Sequence, residues 1–259
     1  MSPLGIYSLV SRGKTLETQM EAVANNLANV DTVGYKQDQP AFKQILAKSM
    51  GVAKESDEEL FATQDHLPPY SGVGVAYVAT ADMGKDVTTG RPTQTGKETD
   101  LALISSKGFF SIQTPAGERF TRAGSFILNS DRQLVTPDGY QVLGKEGPIV
   151  VKGNKFEVGQ DGTITVDDKP AGGLKIVAFP YPERLQKLGG AMFAPQDAEN
   201  NARILEDVQV AQGFVESSNV NAVKEMTAMI EANRAYTSMQ KAITAADEMN
   251  QRALTLAQI

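Results

Sequence analysis

The residues that could do chemistry in this chain are few, and their spacing works against them. There is a single histidine, His66, and no cysteine. That removes disulfides, thiolate nucleophiles and Cys-based metal sites together, and leaves no histidine cluster to hold a metal. Beside Asp65 and ahead of Pro68-Pro69, His66 reads as a loop residue. Asp167-Asp168 is the nearest approach to a carboxylate pair. Adjacent residues on a strand point to opposite faces, so the pair reads as a turn ahead of Lys169-Pro170 instead. Gly90 to Glu98 resembles a phosphate loop only in outline: the glycines Gly90 and Gly96 stand too far apart, and Glu98 replaces the hydroxyl that would hold Mg²⁺. Gly72-Val73-Gly74 begins like a dinucleotide fingerprint, but Tyr77 occupies the third glycine position and a strand pattern follows. No catalytic, cofactor-binding or metal site is implied.

Bulk charge narrows the partners. Lys plus Arg number 25 against 31 for Asp plus Glu, a formal net charge of −6 that repels phosphate backbones and makes nucleic acid an unfavourable partner. With 41% apolar residues over 259 positions there is enough material for a real core. No run approaches the roughly 18 apolar residues of a membrane-spanning helix, so membrane insertion is not expected. The N-terminus carries no basic region followed by an apolar run, so export by a cleaved signal peptide is not expected either.

The elements that must position any function lie first at the ends. Ile6, Leu9, Gly13, Leu16, Met20, Val23, Leu27 and Val30 alternate three and four apart, a heptad seam that predicts a helix of about seven turns. Ser2-Pro3 supplies its start and Gly34 its stop. At the other end Met229, Tyr236 and Ile243 recur at sevens, as do Ala232, Met239, Ala246 and Ala253. Val223, Met226, Ile230, Met249 and Leu256 widen the stripe. This predicts a helix from about Asn221 to Ala257, capped by Asn219 or Asn221 and roughly 55 Å long. Each stripe alone could be an amphipathic helix lying on a core. Two of them, at opposite ends and this long, outreach a small-domain core, so part of each seam must be covered by the other terminus or by another molecule.

Between them, residues 72–212 read as a β-rich middle domain. Val73 to Ala79, Leu101 to Ile104, Phe109 to Gln113, Phe126 to Leu128, Leu134 to Thr136 and Tyr140 to Leu143 are strand candidates. Thr114-Pro115-Ala116-Gly117, Thr136-Pro137-Asp138-Gly139 and Gln160-Asp161-Gly162 are turns, because proline presets φ and glycine accepts positive φ. The pattern predicts an antiparallel sandwich or open barrel. Residues 36–71 read as a linker in which Phe42, Ile45, Leu46 and Met50 form a short amphipathic helix. The organisation is then 1–35 helix, 36–71 linker, 72–212 β-domain and 213–259 helix. The fold class expected is α+β, with long N- and C-terminal helices forming a coiled-coil stem around a central antiparallel β-rich domain.

The run Ala24-Asn25-Asn26-Leu27-Ala28-Asn29-Val30-Asp31-Thr32-Val33-Gly34-Tyr35-Lys36 closely resembles the signature of the flagellar rod and hook family of axial proteins. Gly213-Phe214-Val215-Glu216-Ser217-Ser218-Asn219-Val220, Met226 to Ile230 and Asn233-Arg234-Ala235-Tyr236 resemble its C-terminal signature. Asp100 to Leu103, Gly108-Phe109-Phe110, Phe120 to Phe126 and Leu134 to Tyr140 look like its β-domain. The resemblance implies a non-enzymatic structural subunit of the basal-body rod, required for flagellum assembly and motility. Its partners would be copies of itself, other rod proteins and the flagellar type III export apparatus. It would stand in the periplasmic part of the motor, exported without a cleaved signal. The ending Lys241 to Leu254 is more similar to the proximal-rod (FlgF-like) type than to the distal-rod (FlgG-like) type.

On this reading the assembly interface comprises Leu9, Leu16, Met20, Val23, Asn25, Asn26, Leu27 and Asn29 of the first helix. From the second it takes Met229, Ile230, Arg234, Tyr236, Met239 and Ile243. Asparagines are poor helix-interior residues whose amides can bond free carbonyls locally or on a neighbouring chain. Arg234 and Tyr236 are of the types that dominate contact energies, or can pair within the chain. The competing reading is a soluble adaptor whose terminal helices close its own fold. A carbohydrate-active enzyme on a β-scaffold would need paired carboxylates, which the sequence does not offer.

Overall fold

The computed structural model describes residues 3–47, 75–105, 107–153, 155–189, 191–196 and 200–256. Side chains at 3–9, 41–47, 75–83, 250, 253, 254 and 256 are outside that description. His66 and Met50 fall outside the described residues.

Helix α1 spans Pro3–Ala28 and helix α2 spans Ala222–Leu256, close to the bounds read from the seams. Asn221 is the cap of α2: its Oδ1 accepts from Val223 N at 3.1 Å and Lys224 N at 3.2 Å, satisfying first-turn donors that have no helical partner. Asn219, the other candidate, is used elsewhere.

Every strand pairing described is antiparallel. The largest sheet has ten strands, with β5 (Gly108–Thr114) at its centre between β6 (Gly117–Thr121) and β9 (Gln141–Gly144). Neighbouring residues of β5 face opposite ways into two separate cores. Phe110 and Ile112 join Leu101, Leu134, Phe126 and Ile176 on one side, and Phe109 joins Phe120, Phe179, Leu185 and Phe193 on the other. Burial on both faces explains why two phenylalanines, Phe109 and Phe110, can stand side by side in one strand. The predicted turns stand where proline and glycine put them, with Gly117, Gly139 and Gly162 all at positive φ. Asp167 and Asp168, at φ 50° and 62°, form the tight turn between β12 (Thr163–Val166) and β13 (Lys169–Gly173).

Two expectations are corrected. The described residues hold one helix at each end and a largely antiparallel β-rich body, not long terminal helices forming a coiled-coil stem around a β-domain. A stem needs an unbroken apolar ridge. On α2 the buried sevens are Ala232, Met239 and Ala246, mostly too small to make one, while Val223, Met226, Ile230 and Met249 face outward, between 52% and 73% exposed. Both helices are also divided between two compact units, one of residues 22–39 and 84–228, the other of 1–21, 40–83 and 229–259. Second, Phe42, Ile45 and Leu46 lie in strand β1 (Asp38–Ala47), paired with β2 (Val75–Lys85), not in a short helix. Three apolar residues at helical spacing also fit a strand when a neighbouring strand is there to pair with.

Within the second unit the helices touch where side chains are smallest. A Cβ at Gly13 would stand 2.9 Å from both Cε and Sδ of Met239, and the Tyr236 hydroxyl donates to Glu17 Oε1 at 3.1 Å.

Candidate functional site

The densest polar chemistry among the described residues lies where the two chain ends enter the β-rich unit. Asn26, two residues before α1 ends, is 1% exposed. Its Nδ2 donates to Asp38 O at 2.9 Å and to Glu225 Oε2 at 3.2 Å. Its Oδ1 accepts from Asp38 N at 2.8 Å and from the Tyr35 hydroxyl at 3.3 Å. One amide thus uses both donors and both lone pairs to tie α1, β1 and the first turn of α2. Gln37 Nε2 adds a bond to Glu225 Oε1 at 2.7 Å.

Tyr35 stacks under a cation, with Lys187 Nζ 3.7 Å from its ring centroid. Lys187 also donates to Lys36 O at 2.6 Å and Asp38 Oδ1 at 2.9 Å. Burial first, and then the Asp38 carboxylate, push the Tyr35 phenol well above its ordinary range. Burial lowers the Lys187 ammonium, opposed by Asp38.

Behind this lies a buried ionic trio. Lys36 Nζ pairs with Glu216 Oε1 and donates to Thr88 O at 2.6 Å, while Glu216 Oε2 stands 3.4 Å from Arg122 NH1. The three side chains are at most 1% exposed. Gly90 N donates to Glu216 Oε1 at 2.8 Å. Arg122 donates to Ser105 O at 2.9 Å and lies over the Phe109 ring. Desolvation lowers both cations, and the Glu216 carboxylate works against it. Strand β19 (Phe214–Glu216), paired with β3 (Pro92–Gln94), brings Glu216 into place. The segment Gly90 to Glu98 that mimics a phosphate loop in fact contains the strand that receives this partner. Gly90 is required by close approach, since a Cβ there would stand 1.9 Å from Ser217 O.

Asn219 completes the junction. Its Oδ1 accepts from Gln37 N at 2.8 Å and its Nδ2 donates to Asp86 O at 2.8 Å.

The expected interface residues fall into distinct places. Leu16, Val23, Asn26 and Met239 are buried; Met20, Leu27, Asn29, Met229, Tyr236 and Ile243 are half-buried; Asn25, Ile230 and Arg234 are exposed. The Leu9 side chain lies outside the described residues. Asn29 bonds locally, donating to Asn25 O at 2.8 Å and accepting from Thr32 Oγ1 at 3.1 Å. Sequence reasoning did not single out Lys36, Asp38, Arg122, Lys187, Glu216 or Glu225. Their signal was charge inside otherwise apolar or small-residue runs, as in Val33-Gly34-Tyr35-Lys36 and Phe214-Val215-Glu216.

A β-rich body locked to both of its own chain ends, with apolar helix surface left facing outward, defines a scaffold-type α+β protein. Residues 6–36 match the family described as flagella basal body rod protein. Residues 103–166 match the flagellar hook protein FlgE/F/G D1 domain, and 211–256 the flagellar basal body rod FlgEFG protein C-terminal region. Each matched segment contributes to the junction: Asn26 and Lys36 from the first, Arg122 from the second, Glu216 and Glu225 from the third. Flagellar basal-body rod protein FlgG of Bacillus subtilis is 30% identical over 265 residues, covering 97% of this chain and 98% of that protein. Flagellar basal-body rod protein FlgF of Caulobacter vibrioides is 32% identical, covering 96% of each, and the FlgG protein of the same organism is 31% identical, covering 91% and 92%. The chain belongs to the flagellar basal-body rod protein family. Relatives of both names match at similar identity, so the preference for the proximal type rests on the C-terminal ending alone.

Proposed function

We propose that this chain is a non-enzymatic structural subunit of the flagellar basal-body rod, assembling with copies of itself and with other rod proteins through its terminal helices. The observation that carries the reading is the outward apolar surface of α2. Val223, Met226 and Ile230 stand at i, i+3 and i+7, each more than half exposed, on a chain whose β-body keeps most of its large apolar side chains inside. Burying each against a neighbour contributes on the order of 1–2 kcal/mol, enough in sum to favour association.

Twelve of the fourteen interface residues divide by role on this reading. Asn25, Ile230 and Arg234 make contact, and the half-buried Met20, Leu27, Met229, Tyr236 and Ile243 border it. Leu16, Val23, Asn26 and Met239 hold the helices in the shape that contact requires. Residues 1–35 and 213–259 are the assembly elements, 72–212 the body, and 36–71 the connection. The resemblance of the ends to the axial family supports a place in the periplasmic part of the basal body, reached through the flagellar type III apparatus without a cleaved signal.

The test replaces Val223, Met226 and Ile230 with aspartate. Expected is loss of rod assembly and swimming while the purified variant keeps the thermal stability of the parent. Rods of normal length containing the triple variant would overturn the reading.

A further inference from the structure

A single carboxylate, Glu216, touches both Lys36 and Arg122, with all three side chains closed to water. Removing ions from water costs several kcal/mol each, and removing one member of a buried pair leaves an uncompensated charge. The two cations are not held equally. Arg122 is anchored by Ser105 O and the Phe109 ring within the body. Lys36 belongs to the segment just after α1, which is held partly by Asp86, Thr88 and Lys187 of the body and partly by strand β19 and the residues between it and α2. Gly34 N donates to Glu216 O at 2.7 Å, Gln37 N to Asn219 Oδ1 at 2.8 Å, and Asn219 N to Tyr35 O at 3.5 Å. If the carboxylate is withdrawn, the lysine keeps only the Thr88 carbonyl as a contact partner and is the cation carried on the segment that can undock.

We infer that Glu216 is a charge latch that makes docking of residues 34–38 onto the β-body conditional on the arrival of strand β19 from the far end of the chain. Until that strand is in place, Lys36 lacks its contact counterion at its buried position and Arg122 repels it, so the N-terminal segment stays out. The latch converts a contact between residues far apart in sequence into an ordering rule: the body closes on its N-terminal segment last. Asp86 acts on Lys36 in the same sense as Glu216 but more weakly. The inference concerns the chain's own closure and does not rest on the assembly reading.

The test uses the full chain and hydrogen exchange read by mass spectrometry, comparing amides 34–38 with the core amides of Phe109 to Ile112. In Glu216→Gln, exchange at 34–38 is expected to rise on the order of a hundredfold or more while Phe109 to Ile112 stay protected. In Lys36→Met combined with Glu216→Gln the buried charge returns to that of the parent, and exchange at 34–38 is expected back within about tenfold of it. Unchanged exchange at 34–38 in Glu216→Gln would overturn the latch. So would a double variant no better protected than Glu216→Gln. If Glu216→Gln loses protection throughout, reversal by Lys36→Met still supports the latch, and failure to reverse still refutes it.

Discussion

Gly34 and Glu216 are joined backbone to backbone, the Gly34 amide donating to the Glu216 carbonyl at 2.7 Å, in a gap that admits no side chain at residue 34. Gly34 sits at φ 69°, and a Cβ there would meet Ala123 N at 2.3 Å and Arg122 C at 2.4 Å. The glycine that stops α1 in the sequence is also the point at which the first chain end is pressed against the last.

Gly34→Ala should therefore destabilise the protein by about 3 kcal/mol or more, since it combines positive φ with a clash against backbone that has no flexible end to move. Equilibrium urea unfolding measures this. A loss below about 1 kcal/mol would mean the backbone at 122–123 yields more easily than its packing suggests.

Asn26→Ala removes one side chain and takes a partner from Asp38 N, Asp38 O and Glu225 Oε2, while the Tyr35 hydroxyl keeps Asp38 Oδ2 at 3.2 Å. Buried groups left without a partner cost about 1–3 kcal/mol apiece, so a loss of about 3 kcal/mol is expected, against well under 1 kcal/mol for Asn25→Ala on the exposed face. The contrast between neighbouring asparagines in one denaturation series checks it, and similar losses at both would refute the assignment.

Tyr35 gives a pH signature. Its phenol is raised above the ordinary 10.0 in the folded chain, so above that pH the unfolded chain releases the proton while the folded chain keeps it. The unfolded state then holds fewer protons, and stability falls as pH rises. The contribution is fully present below the ordinary value of 10.0 and is lost progressively above it. Tyr35→Phe should flatten this alkaline decline above about pH 10, visible in unfolding free energies measured against pH. An unchanged slope would place the phenol in contact with solvent.

Much of this protein was legible before any coordinates. The seams of α1 and α2, the turns at Thr114 to Gly117 and Thr136 to Gly139, and the strands at Leu101, Phe109, Leu134 and Gln141 follow from periods of about 3.6 and 2 and from glycine and proline chemistry, which act between residues close in sequence. The same reasoning misled at Phe42, Ile45 and Leu46, where apolar spacing alone does not separate a short helix from a strand with a partner. It misled again in the coiled-coil stem, because a heptad pattern reports which residues recur and not how wide a ridge Ala232 and Ala246 can make.

What residue order determined by itself was the set of elements and their sequence along the chain, together with the signatures by which the family is recognised. Tertiary structure alone decided which charges are buried together. Lys36 meets Glu216 across a sequence separation of 180 residues, and Asn26 meets Glu225 across 199. Neither pairing leaves a local trace, because a buried charge is tolerated only where folding delivers its counterion, and that delivery depends on strand pairing far away in the chain.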